Sequence, residues 1–268
     1  VDSVQAIVVN YIVAGATGIW MTDLAVGFAD LPLQVLLFAG GMGVLFFSIF
    51  NVMALTAQRN GVSVAAVASK MALVIPVFFG IVLFNEHLGM YKLMGVILGL
   101  ISVYFVSVKA TNAQRIKAYL GLPLLLFLGS GLIDTGLKYA QEFLITDRQE
   151  AVFSASIFFA AFVFGMLYLL VSFLKGKRSA ALLKPKNIVA GVVLGVPNFF
   201  SIFFLLKALQ SGVDSVVVFT INNIGIVLLS TLLGVLIFKE LLKKKNIIGI
   251  VMAVGAIGLI ALSMALDG

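Results

Sequence analysis

The chain has 268 residues; 62% are hydrophobic, 11% are charged, and the formal net charge is +7. A soluble domain carries roughly 25% charged residues, so 18 basic and 11 acidic side chains cannot coat a water-facing surface of this size. A large soluble enzyme and a disordered chain are both excluded. The absence of Cys removes disulfides, thiol catalysis and zinc–thiolate sites. In this apolar background the basic excess marks cytoplasmic loops and not a nucleic-acid surface.

A helix needs about 20 apolar residues to cross the hydrocarbon core. Nine such runs follow one another, near 3–21, 34–57, 62–84, 91–109, 118–141, 151–174, 187–208, 215–238 and 246–266. The first stands where a signal peptide would, but only Asp2 precedes it and it contains Asn10 and Tyr11, so it reads as a spanning helix. The breaks between runs are short and polar, as in Gln58-Arg59-Asn60-Gly61 and Lys175-Gly176-Lys177-Arg178. The expected fold class is therefore all-α, a polytopic membrane helix bundle with no soluble domain.

An internal repeat divides the bundle. Phe46-Phe47-Ser48-Ile49-Phe50 recurs as Phe199-Phe200-Ser201-Ile202-Phe203, and Ala54-Leu55 as Ala208-Leu209. Gly61-Val62 opens the third run as Gly212-Val213 opens the eighth. Phe84-Asn85-Glu86 recurs as Phe238-Lys239-Glu240, and Gly95 matches Gly249 at the same 154-residue offset as the Glu pair. Runs two to four thus match runs seven to nine, and run one matches run six. Run five has no partner, and the sequence starts with Val1 and not Met. The expectation is a ten-helix protein of two five-helix halves, 1–110 and 116–268, whose first helix is missing from the first half. A repeat with an odd number of helices inserts its second copy upside down, and inverted repeats are the architecture of secondary transporters.

The block Asn60-Gly61-Val62-Ser63, Ile75-Pro76, Leu83-Phe84-Asn85-Glu86, then a helix with Gly95 and Gly99, resembles the drug/metabolite transporter superfamily in its ten-helix EamA-like branch. The second copy, Ser211-Gly212-Val213-Asp214, Leu236-Ile237-Phe238-Lys239-Glu240, then Gly249, carries Ser230 where the first has Pro76. The resemblance spans nearly the whole chain. It implies two EamA-like repeats and transmembrane transport. It leaves the substrate open among amino acids, sugars, nucleotide sugars, phosphorylated metabolites and drugs.

Basic residues orient the spans. Thirteen lie in loops on one side: Arg59; Lys109, Arg115, Lys117; Lys175, Lys177, Arg178, Lys184, Lys186; Lys239, Lys243, Lys244, Lys245. Four lie opposite: Lys92, Lys138, Arg148 and Lys207. The first side is expected to be cytoplasmic, which puts the C-terminus outside. Family members are often drawn with both termini inside; the charge bias is the stronger guide. A bacterial plasma (inner) membrane is the expected location.

Polar groups inside spans mark cavities or helix contacts. Lys70 lies nine residues into its run, roughly 14 Å deep at about 1.5 Å per residue, beyond the reach of snorkelling. It faces either a hydrated cavity or a counter-ion. Ser69 aligns with Asn223 of the second copy, next to Thr220 and Asn222. Together with Asn198 these residues fall near mid-span, where transporters bind substrate; the alternative for each Asn is a plain interhelical hydrogen bond. Asp134 is the one carboxylate well inside a span. It either pairs with Lys138 at i+4 or takes up a proton and couples it to transport. Its count from the helix end puts it at a different depth from Lys70, roughly 10 Å from the opposite face. Pro76 and Pro197 each remove a backbone N–H and free the carbonyls of Ala72 and Val193 to bend the helix or line a cavity. Glu86 and Glu240, at helix ends, read as structural groups.

The function expected is a secondary-type transporter that moves a small polar or anionic metabolite by alternating access, with Lys70 selecting for an anionic group. Its partners are a small-molecule substrate and the lipid bilayer, with no nucleic acid, no cofactor and no metal. The alternative is an intramembrane enzyme or a channel. Against an enzyme, His87 is the one His, no H-E-x-x-H occurs and no G-x-S-x-G turn is present.

Overall fold

A computed structural model describes residues 2–22, 27–107, 121–175, 185–236 and 244–267. Among them there is no strand. The helices are α1 (Ser3–Met21), α2 (Leu33–Arg59), α3 (Val62–Met71), α4 (Val74–Phe84), α5 (Met90–Ser107), α6 (Gly121–Phe143), α7 (Glu150–Leu174), α8 (Pro185–Leu209), α9 (Ser215–Leu236) and α10 (Lys244–Asp267), with a 3-10 turn at Phe28–Asp30. Among the described residues eight spans are long and apolar enough to cross a bilayer, one of them α3 and α4 taken together from Val64 to Phe84. The apolar part of α5, Met90–Phe105, is shorter. Large apolar side chains such as Leu33, Leu174, Leu236 and Val251 point outward, as a hydrocarbon surrounding requires. The protein is an all-α polytopic membrane bundle.

The chain forms two compact units. One takes Val1–Ala54 and Gly136–Ser211; the other takes Leu55–Thr135 and Gly212–Gly268. Each draws on both sequence repeats, so the units cut across the 1–110 and 116–268 halves.

In the first unit α1 packs against α7 and α8. The small residues set the distance. A Cβ on Gly18 would lie 2.8 Å from Ala155 Cβ, and one on Gly15 would lie 3.0 Å from Phe159. At the other end of the same contact, a Cβ on Gly165 would lie 2.6 Å from Val8. As position numbers rise along α1 they fall along α7, so these repeat-equivalent helices run antiparallel. Against α8 the numbers rise together, Gly191 meeting Val9 and Gly195 meeting Val13. The repeated Phe-Phe-Ser-Ile-Phe motif plays the same part in both copies. Phe46 and Phe199 are buried, Ile49 and Ile202 are buried, and Ser48 and Ser201 donate to carbonyls of their own helices. Tyr11 completes this core, stacked on Phe158 with its edge to Phe50.

In the second unit α5 packs chiefly on α10, and also on α9 and α3. Gly95 faces Ile260 and the Ala256 carbonyl, whereas Leu98 faces Gly255. These equivalent helices are antiparallel as well. Within each unit, the second copy therefore lies upside down against the first, as inverted repeats demand. The turns that open runs three and eight are both built on glycines at positive φ, Gly61 at 105° and Gly212 at 79°, a conformation that a side chain disfavours.

The two copies differ at the proline. The 62–84 run, expected as one helix, is broken at Ala72–Leu73. Pro76 has no N–H to offer the Ala72 carbonyl, so the Ile75 N–H takes it over at 2.9 Å, and the Leu73 N–H bonds the Lys70 carbonyl at 3.3 Å. These are 3-10 spacings; α-helical spacing resumes when the Val77 N–H bonds the Leu73 carbonyl at 3.1 Å. The Ala72 carbonyl is thus not left free, as the sequence suggested. The corresponding helix α9, with Ser230 in place of the proline, is continuous, and Ser230 and Thr231 both donate to the Val227 carbonyl. Pro197 lies inside α8 without breaking it.

Candidate functional site

The break in α3–α4 sits beside a polar stretch of its span. Ser69 and Lys70 occupy the last turn before it. Facing them is α6, brought close at Gly131: a Cβ there would lie 2.5 Å from Ile75 Cβ. This notch lets Ser130 Oγ come within 3.4 Å of Ser69 Oγ. Asp134 follows Ser130 by one turn, on the same face of α6.

Lys70 and Asp134 act on each other electrostatically. Both are partly exposed. Among the described residues neither makes a hydrogen bond or an ion pair within 4.0 Å. The two charges therefore lie near each other without a direct ion pair, on the helices that the Ser130–Ser69 contact brings together. This differs from the expectation that Asp134 lies at another depth. Counting residues along each helix treats the spans as straight parallel rods, and the 62–84 run is broken between α3 and α4. Lys138, the expected partner of Asp134, reaches the other way along α6, to Glu142 at 2.8 Å and Gln141 at 3.3 Å.

The remaining predicted residues have contacts of their own. Thr220 is buried, and its hydroxyl donates to the Val216 carbonyl at 2.6 Å. Its methyl group packs toward Gly99 of α5. Asn223 is buried in the same helix and Asn222 is exposed. No hydrogen bond or ion pair among the described residues joins Thr220, Asn222 or Asn223 to Lys70 or Asp134. The position equivalent to Lys70 is Ile224, buried against Ala253 and Ala256, so the charge belongs to one copy only. Asn198 belongs to the first unit, where its Nδ2 donates to Asn10 Oδ1 at 3.3 Å. Pro197 beside it is exposed and Pro76 is buried. Of the two glutamates, Glu86 accepts from the backbone N–H groups of Ser215 and Val216 at 2.8 and 3.2 Å. Glu240 lies outside the described residues, as do the basic loop residues Lys109, Arg115, Lys117, Lys177, Arg178, Lys184, Lys239 and Lys243.

Ser130 and Gly131 were missed. A serine and an aspartate four apart in the apolar part of this helix, with a glycine between them, form a polar face next to a close-approach point. That pattern was available in the sequence.

An uncharacterized protein of Haemophilus influenzae is 30% identical over 267 aligned positions, which cover 94% of this chain and 86% of that protein. This chain belongs to the same family. No family model matches the sequence. A solved crystal structure superposes over 98% of this chain and 89% of its own with a TM-score of 0.76. At 16% identity that likeness speaks to the fold alone.

Proposed function

We propose that the protein is a secondary-type transporter of the EamA-like kind that carries a small polar or anionic metabolite across a bacterial plasma (inner) membrane by alternating access. The observation that carries this reading is the interrupted α3–α4 span with Lys70, Ser69, Ser130 and Asp134 gathered at the break. Ionisable groups within spans are expensive and are kept where they meet a substrate or an ion pathway. Transporters build such sites at discontinuous helices near the repeat interface. The antiparallel packing of equivalent helices in each unit supports the same reading, since inverted copies give two related faces. The bacterial relative supports the plasma membrane.

An intramembrane enzyme would need a nucleophile with its base, or a metal. Among the described residues no three His, Asp or Glu side chains cluster as metal ligands do. Among the described residues Ser69 and Ser130 hydrogen-bond to each other and neither bonds Lys70 or Asp134, the groups that could serve as a base.

The test is solute flux in liposomes containing the purified protein. Labelled carboxylates, phosphate esters, sugars and amino acids are loaded, and exchange is followed against empty vesicles. Saturable exchange of at least one solute, reduced tenfold or more by Lys70→Gln, is the expected result. No protein-dependent flux of any solute would remove the transporter reading.

A further inference from the structure

We infer that the start of α8 carries a binding site for an anionic phospholipid, with an acyl chain laid along the helix and the phosphate held by Lys186. The site is independent of what the protein transports. Pro185, Lys186, Val189, Ala190, Val193 and Leu194 line a groove of about 510 Å3, room for one acyl chain. Their spacing sets Lys186, Val189, Ala190 and Val193 along one face of α8. Asn187, Gly191 and Gly195 are the buried residues of the same stretch, and the two glycines hold it against α1. The groove lies on a side of α8 that α1 does not cover. Ala190 makes the dip, its methyl group standing among the larger Val189, Val193 and Leu194, which are 61%, 65% and 57% exposed.

Charge fixes the occupant. The groove runs from Lys186 to Leu194, about 12 Å along the helix axis at 1.5 Å per residue. That is close to the hydrocarbon depth of one leaflet, half of roughly 30 Å. Its charge stands at the start of the helix and the rest of its wall is apolar. An anionic phospholipid has the same order of parts, a phosphate above and a chain below. A second lysine comes to this end. Since α1 runs antiparallel to α7 and parallel to α8, Lys175 at the close of α7 lies at the same end of the unit as Lys186. Both are exposed, and among the described residues neither ammonium makes a hydrogen bond or an ion pair. The polar groups next to them are engaged with α1. Asn187 accepts from the Asp2 N–H at 3.0 Å and donates to Gln5 at 2.6 Å, and the Asp2 carboxylate takes the Val4 and Gln5 N–H groups. In sequence, positions 175–186 hold five basic residues and no acidic one. Basic pockets on the cytoplasmic side of spans collect anionic headgroups, and this is the side expected to face the cytoplasm.

The experiment titrates the purified protein in detergent with phosphatidylglycerol or with phosphatidylcholine of matched chains, and counts retained lipid by native mass spectrometry. Counting on the folded, intact ion alone removes the effect of any unfolded fraction. Phosphatidylglycerol should bind the more tightly. Lys186→Gln should weaken it about fivefold, the worth of one Lys at a lipid surface, and leave phosphatidylcholine unchanged. Lys186→Arg should keep wild-type binding. Val193→Trp, which fills the groove, should weaken both lipids. Lys244→Gln is the control, since Lys244 is exposed at the start of α10 in the other unit and is expected on the same side of the bilayer. It should change neither affinity. The site is overturned if the two lipids bind alike, or if Val193→Trp leaves both affinities intact. It is also overturned if Lys244→Gln costs as much as Lys186→Gln, which would mean general attraction to a basic surface. If Val193→Trp separates a dimer and lipid binding stays as it was, the groove belongs to a second copy of the chain and the lipid assignment falls.

Discussion

Two backbone N–H groups at the start of α9, those of Ser215 and Val216, point at the carboxylate of Glu86, which leaves the end of α4. The first N–H groups of a helix have no partner inside it, and a carboxylate there gains from both hydrogen bonding and the helix dipole. Asn85, at a φ of 51°, ends α4 in the left-handed conformation that asparagine tolerates and turns Glu86 toward α9. Gly80 leaves room, since a Cβ there would lie 3.0 Å from Glu86 Oε2. Glu86→Ala should therefore lower stability by about 1–2 kcal/mol, and Glu86→Gln, which keeps an accepting oxygen, by less. Thermal unfolding in detergent reads both, and identical midpoints for the three proteins would contradict the cap. The reading of Glu86 as a structural group came from its place at a helix end. Its partners were not legible, because Ser215 and Val216 lie 129 and 130 positions away. Separation in sequence likewise hid the approach of α6 to Lys70. Lys70 could be recognised as a deep charge from its run alone, but what opposes it depends on a helix contact that no local pattern encodes.

The α3–α4 span is where one substitution changes an element. Proline in a helix interior costs roughly 3 kcal/mol relative to alanine. Pro76→Ala would restore an N–H for the Ala72 carbonyl and remove the ring that pushes that carbonyl aside. The two helices should join, as their counterpart α9 is joined. The expected outcome is a higher unfolding temperature together with transport reduced tenfold or more, a trade of activity for stability. Unchanged flux would mean that the break has no part in the site. Helix existence was legible throughout, because uninterrupted apolar runs have few alternatives in a bilayer. Pro76 pointed to a disturbance one turn upstream. What sequence could not reveal is why Pro197 leaves α8 whole, and nothing else in the structure explains that difference.

At the scale of the molecule, charge decides orientation. The sequence leads us to expect thirteen basic residues toward one side of the bilayer and four toward the other. Three of the four sit close to carboxylates: Lys92 with Asp214 at 2.6 Å, Lys138 with Glu142 at 2.8 Å and Lys207 with Glu150 at 4.0 Å. The positive-inside rule predicts that the richer side faces the cytoplasm. A phosphatase active only outside the cytoplasm, fused after Gly268, should be active, and a fluorescent reporter that matures only in the cytoplasm should stay dark there. The reverse pattern would invert the topology.

The small-residue contacts of α1 have a consequence for how the protein is made. Gly191 and Gly195 of α8 meet Val9 and Val13 of α1, so partners in one contact leave the ribosome some 180 residues apart. At roughly 5–20 residues per second, α1 enters the bilayer about ten seconds or more before α8 exists. During that wait its valines face lipid. The α5–α10 pair imposes a similar delay on the other unit. Insertion of the early spans cannot be the committing event; neither compact unit closes until its second segment, Gly136–Ser211 or Gly212–Gly268, has been threaded in. A ribosome that stalls after the first repeat leaves helices in the membrane without their glycine-lined partners, which is the form a membrane quality-control protease would find open.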